Sequence, residues 1–210
     1  MSQIVARGDR ARERRLTPSP FRRRNAIDSP SAGHARDEDT LFKLRFPIAD
    51  IPEWSTGFSY DENDARFLRE VRPAVRSRGY LTVAEVREIC YWKTPRSQAR
   101  CRQNTADDIR VLTQAALATR DEALKMDLLR RLRGVEWPTA STLLHFCDVR
   151  PYPILDYRAL WSLGYARPPH YTMPFWLSYV AYVRELARRS GHPIRTVDRA
   201  LWQYSKARQR

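Results

Sequence analysis

From about residue 61 onward, apolar side chains recur three and four positions apart: Phe67, Val71 and Val75, then Val83, Val86, Ile89 and Cys90. That spacing lines one face of a helix, and no stretch alternates with the period of two that a half-buried strand requires. The chain is therefore expected to be all-α. Asp61 or Asn63 can open the first helix, Pro73 can kink or shorten it, and Gly79 stops it. Thr82 followed by Glu85 reads as a capping box, which starts a second helix running to about Trp92. Thr105 opens a third, with Asp107 and Asp108 at its positive end and Ile109, Leu112, Ala116 and Leu117 on one side. Asp121 opens a fourth through Leu124, Leu128, Leu129 and Leu132. Two more cover 172–189, ahead of Gly191, and 195 to about 207; in this pattern Trp161, Trp176 and Trp202 are expected in the core.

Charge narrows the partner. The 210 residues carry a formal net charge of +14, of which residues 1–40 account for +3 through nine Arg and six acids among Ser and Pro clusters. Residues 1–40 read as a disordered basic tail. The remaining +11 belongs to 41–210, read as one all-α domain, so a polyanion, nucleic acid by default, is the expected partner. A hydrophobic content of 42% suffices for a buried core. The seven glycines form neither G-x-G-x-x-G nor G-x-x-x-x-G-K, which excludes nucleotide loops of those kinds. Cys90, Cys101 and Cys147 have no C-x-x-C spacing, which predicts a reduced, cytoplasmic setting without a zinc ribbon or iron–sulfur cluster. No run of eighteen apolar residues predicts a membrane span, and His145, His170 and His192 form no metal-binding pattern.

Residues 128–164 carry the most information. They read as a helix, a tight turn at Gly134-Val135-Glu136, a second helix from Pro138 to Cys147, an extended connector, and a short helix opened by Asp156. Pro138 suits a first helical turn, and Leu132, Val135, Ala140, Leu143 and Leu144 would clamp the two helices together. Backbone N–H groups at such a turn, with the positive end of the second helix, suit a phosphate.

This stretch resembles the helix-hairpin-helix DNA glycosylases. Their hairpin reads L-P-G-V-G-x-x-T-A, and Leu132-Arg133-Gly134-Val135-Glu136-Trp137-Pro138-Thr139-Ala140 matches five of its seven specified positions. Pro151-Tyr152-Pro153-Ile154-Leu155-Asp156 resembles the family's Pro-rich segment that ends on an essential aspartate. The resemblance implies a glycosylase-like helical domain that binds double-stranded DNA as a monomer and flips one base out. It also implies hairpin contacts to DNA through Gly134, Val135, Glu136 and Thr139. Glu136 stands where the family has a second glycine, a residue that disfavours positive φ and brings negative charge near a phosphate. Pro138 stands where bifunctional members carry a lysine nucleophile, so the expected enzyme is monofunctional, without cofactor.

The chemistry explains the aspartate. Cleaving a base from deoxyribose passes through an oxocarbenium-like sugar, which a carboxylate stabilises while orienting water. Asp156 at a helix start accepts N–H bonds that favour its ionised form. A flipped base needs flat walls, for which Trp137, Tyr152, Tyr157 and Trp92 are the nearest aromatics. Lys93, Arg96, Arg100, Arg102 and Arg133 are the expected phosphate contacts. The competing expectations are a noncatalytic DNA-binding module and a scaffold for an acidic protein.

Overall fold

The computed structural model describes residues 41–58 and 62–209, and these are helical with no strand among them. The expected tail over 1–40 lies outside the described residues, as does Asp61. In chain order the helices are α1 (Ile51–Thr56), α2 (Glu62–Arg66), α3 (Arg72–Arg78), α4 (Val83–Lys93), α5 (Gln98–Cys101), α6 (Ala106–Ala118), α7 (Glu122–Arg130), α8 (Trp137–Cys147), α9 (Tyr157–Ser162), α10 (Met173–Ser190) and α11 (Ile194–Arg208).

Local chemistry sets these boundaries. Thr82 and Thr105 close reciprocal capping boxes with Glu85 and Asp108, and Asp121 accepts the N–H of Leu124. Each such cap contributes about 1 kcal/mol by satisfying an orphan donor. Gly79 and Gly191 end α3 and α10 in the left-handed conformation. A π-helical turn, Phe67–Val71, joins α2 to α3. It sits where Pro73, near the start of α3, lacks the N–H that would continue an α-helical ladder, so the backbone widens rather than breaks. The periodicity did not predict α1 or α5, which span only six and four residues, too few to repeat an apolar pattern.

One apolar core runs through these elements, with Trp176, Tyr152, Tyr179, Phe67 and Phe146 among its largest buried side chains. Leu132, Val135, Ala140, Leu143 and Leu144 are all within it, so the two helices of 122–147 are joined by a packed turn. Trp161 and Trp202 depart from expectation: both are half-buried, and a cation lies over the ring of each, Arg45 for Trp161 and Arg158 for Trp202. Beneath the surface, Lys125 of α7 donates to the Asp148 carboxylate at 2.5 Å and to the carbonyl of Ala116 at 2.9 Å, closing the end of α6 with a fully buried ion pair. No helix among the described residues is long and apolar enough to cross a membrane.

Candidate functional site

The connector between α8 and α9 carries Asp156, and its position follows from how the connector is held. Pro151 and Pro153 keep the run extended, so its backbone groups cannot pair with one another and side chains from α8, α10 and α11 satisfy them instead. Ser141 accepts the N–H of Leu155 at 2.8 Å, Asp198 accepts that of Ile154 at 3.1 Å, and Tyr179 donates to the Ile154 carbonyl at 2.8 Å. His145 Nδ1 lies 2.6 Å from the Tyr152 carbonyl. Burial, with the positive charge of Arg195, holds His145 well below the usual histidine range, so the ring is neutral and Nδ1 is the N–H that donates.

At the end of this run Asp156 caps α9: its Oδ1 accepts the Arg158 N–H at 2.9 Å, while Oδ2 accepts from Lys93 Nζ at 2.6 Å. Burial pushes the carboxyl up, but the Lys93 charge and the hydrogen bonds from Lys93 and Arg158 outweigh it and leave it below the usual range. Asp156 is therefore an ionised carboxylate.

Asp156 and Lys93 line a cleft of about 330 Å³ with Trp92, Phe58 and Trp202 as flat walls and Asp198 and Arg195 behind. Asp198 behaves differently from Asp156. Burial raises its carboxyl to about 7, against the opposing pull of Arg195 and the Ile154 N–H. Two carboxylates lining one cleft thus differ in proton affinity, the arrangement from which acid and base roles arise. Arg195 Nη1 is 3.5 Å from Asp198, its Nη2 donates to the buried Asp64, and Arg199 reaches the same Asp64 oxygen at 3.0 Å.

Comparison with protein-family models, curated proteins and solved structures gives no match.

The expected aromatics separate. Trp92 lines the cleft. Tyr152 does not: it is fully buried, stacks on Trp176, and donates its hydroxyl to Glu122 at 3.0 Å. Trp137 lies half-buried at the hairpin with the Arg130 guanidinium 4.0 Å over its ring, and Tyr157 is exposed beneath Arg158.

The hairpin is built tightly. Gly134 takes φ +78°, and a Cβ there would sit 2.7 Å from Cys101 Sγ and 2.9 Å from the Cys101 nitrogen. Asn104 clamps the turn by accepting the Arg133 N–H at 2.8 Å and donating to the Arg133 carbonyl at 2.9 Å. Val135 and Thr139 are buried, so neither presents the exposed side chain that the resemblance implies. Glu136 has φ −103°, an ordinary extended conformation, so the position does not need the glycine that the family carries there. Its charge lies 3.7 Å from Arg130, and its side chain caps no N–H of α8. Arg96, Arg100, Arg102 and Arg133 are exposed around this corner, brought together because the segment Ser97–Cys101 packs on Gly134. Lys93 instead turns into the cleft to meet Asp156.

Sequence reasoning passed over Asp198, Arg195, Phe58 and Trp202. A signal existed for Asp198: it shares the stripe of Ile194, Val197 and Leu201, where an unpaired charge would not be buried without partners.

Proposed function

We propose that this chain is a monofunctional DNA glycosylase that hydrolyses the N-glycosidic bond of a damaged or modified base, with Asp156 as its catalytic carboxylate. The observation that carries the reading is an ionised aspartate in a cleft walled by Trp92, Phe58 and Trp202, whose Lys93 lies three residues ahead of Arg96 in the exposed basic corner. In this reading the corner holds phosphates, the extruded base lies against the aromatic walls, and Asp156 faces the sugar as positive charge develops. Water, oriented by the same carboxylate, attacks C1′ as the bond to the base breaks; the electron pair leaves with the base, and the proton that the water loses passes by way of the carboxylate to the departing base. Lys93 Nζ is engaged with Asp156 at 2.6 Å, and Pro138 stands where bifunctional glycosylases carry their lysine, which supports hydrolysis over a Schiff-base route.

The competing reading, a noncatalytic DNA-binding module, draws support from the same pair, since both Asp156 oxygens already have partners within the chain. Duplexes carrying different modified bases, incubated with the protein and treated with alkali to reveal abasic sites, separate the two. The glycosylase reading expects release from at least one duplex and its loss in Asp156→Asn. No release from any duplex, together with equal DNA affinity in the variant, leaves the module. Borohydride should trap no covalent adduct; a trapped adduct that disappears in Lys93→Met would overturn the monofunctional assignment. DNA affinity that ignores salt would remove both DNA readings and favour an acidic protein partner.

A further inference from the structure

At the opposite end of α8 from the hairpin lies a second, larger cavity of about 570 Å³. Its cations are Arg72, Arg76, Arg150, Arg184, Arg188 and Arg195. We propose that this basin is a binding site for a small phosphate-bearing ligand, separate from the cleft of Asp156 and independent of the glycosylase reading.

The argument rests first on unmatched charge. Arg72 donates to the carbonyls of His145 and Phe146 at 2.6 and 2.9 Å, and Arg76 to that of Asp148 at 3.0 Å, so both satisfy the C-terminus of α8. Carbonyls accept hydrogen bonds but supply no net charge, and among the described residues neither arginine has a carboxylate partner. Arg150 and Arg184 share the single carboxylate of Glu122, at 3.4 and 2.8 Å. Asp148 also lines the basin, but its carboxylate is neutralised by Lys125. Burial, then the like charges of Arg76 and Arg195, lower the affinity of Arg72 for its proton, as expected where guanidinium groups crowd without enough anions.

A second observation is independent of charge. His145 forms part of the basin lining, is only 2% exposed, and its Nε2 has no hydrogen-bond partner. With Nδ1 committed to the Tyr152 carbonyl, Nε2 is an acceptor. Buried polar atoms are rarely left unpaired, so this wall of the basin is incompletely satisfied by the chain itself. The Nε of Arg195, which also lines the basin, is likewise buried and unpartnered. Guanidinium forks match phosphate oxygens in pairs. The volume falls in the range of small-molecule sites, and the eleven residues of α8 set the basin about 16 Å from the hairpin, so one DNA phosphate need not serve both.

Titration calorimetry of the full chain with inorganic phosphate and pyrophosphate, at constant ionic strength in chloride, tests the proposal. Saturable binding is expected, tighter for pyrophosphate, and weakened at least about tenfold in Arg72→Gln, which removes a charged donor. Because Arg72 also caps α8, Arg188→Gln provides a second variant: its arginine is exposed and, among the described residues, its ion pair is with Glu185 at the surface, so the fold is safe and a weakening of a few-fold is expected. No saturable binding at millimolar concentration, or binding unchanged in both variants, overturns the site. A duplex oligonucleotide that displaces pyrophosphate, and loses affinity in the same proportion in Arg72→Gln, would make the basin a DNA contact and overturn the small-ligand assignment.

Discussion

Arg195 forms part of two cavities that treat charge in opposite ways. In the cleft of Asp156, each ion meets a partner: Lys93 faces Asp156, and Arg195 faces Asp64 and Asp198. In the basin behind α8, arginines outnumber the carboxylates that reach them. A matched cleft with aromatic walls suits a neutral, flat group beside a developing positive charge, whereas an unmatched cationic basin suits an anion. The sign of the uncompensated charge, rather than the net charge of the chain, distinguishes what each cavity is built to hold.

That contrast breaks most severely at Lys125. Lys125→Met leaves the Asp148 carboxylate buried without its partner, and urea denaturation should show a loss of about 3–5 kcal/mol. The freed carboxylate would become a counter-ion for Arg72 and Arg76, so pyrophosphate binding should weaken as well; unchanged stability would mean that Asp148 is neutralised in some other way. Next in size, Asp156→Asn should reduce base release by about 10²–10³-fold while leaving duplex affinity intact, read from abasic-site formation and from binding isotherms. A parallel loss of affinity would make Asp156 a structural cap alone. Gly134→Ala forces a β-carbon into Cys101 at a positive φ; thermal unfolding should register about 1–3 kcal/mol, and the basic corner should lose DNA affinity with it.

The most gradual effect is a pH dependence. Folded Asp198 keeps its proton up to about 7, whereas an unfolded aspartic acid releases it near 4, so between those values the native state binds more protons. Stability from this group therefore falls as pH rises through that window, by at most about 1.4 kcal/mol per pH unit, and is level outside it. Denaturation of the protein and of Asp198→Asn across pH 4 to 9 should diverge only inside the window; parallel curves would show that Arg195 keeps Asp198 ionised throughout.

Much of the fold was legible because its signals are local. Thr82, Thr105 and Asp121 start helices by bonding backbone within three residues, and Gly79 and Gly191 stop them by entering a left-handed conformation open to glycine. Asp156 was legible for the same reason, as the cap of a helix after a proline-held run. Tyr152 was not: nothing in its neighbourhood along the chain distinguishes a cleft wall from a buried ring, and the decision lies with Trp176 and Glu122, twenty-four and thirty residues away. Glu136 taught a similar lesson, since its extended φ arises from the way Asn104 and Cys101 hold the turn ahead of it.

By itself the sequence determined an all-helical chain, the positions of most helix ends, and a basic protein with an aspartate at the head of a short helix. These follow from hydrogen bonds and apolar spacing that reach no further than one or two turns. Only the tertiary structure decided that Lys93 pairs with that aspartate, that Asp198 joins the same cleft from α11, and that arginines from α3, α10 and α11 crowd behind α8. Burial and the Coulomb interaction depend on separation in space, and the folded core brings together charges that lie 63 residues apart along the chain.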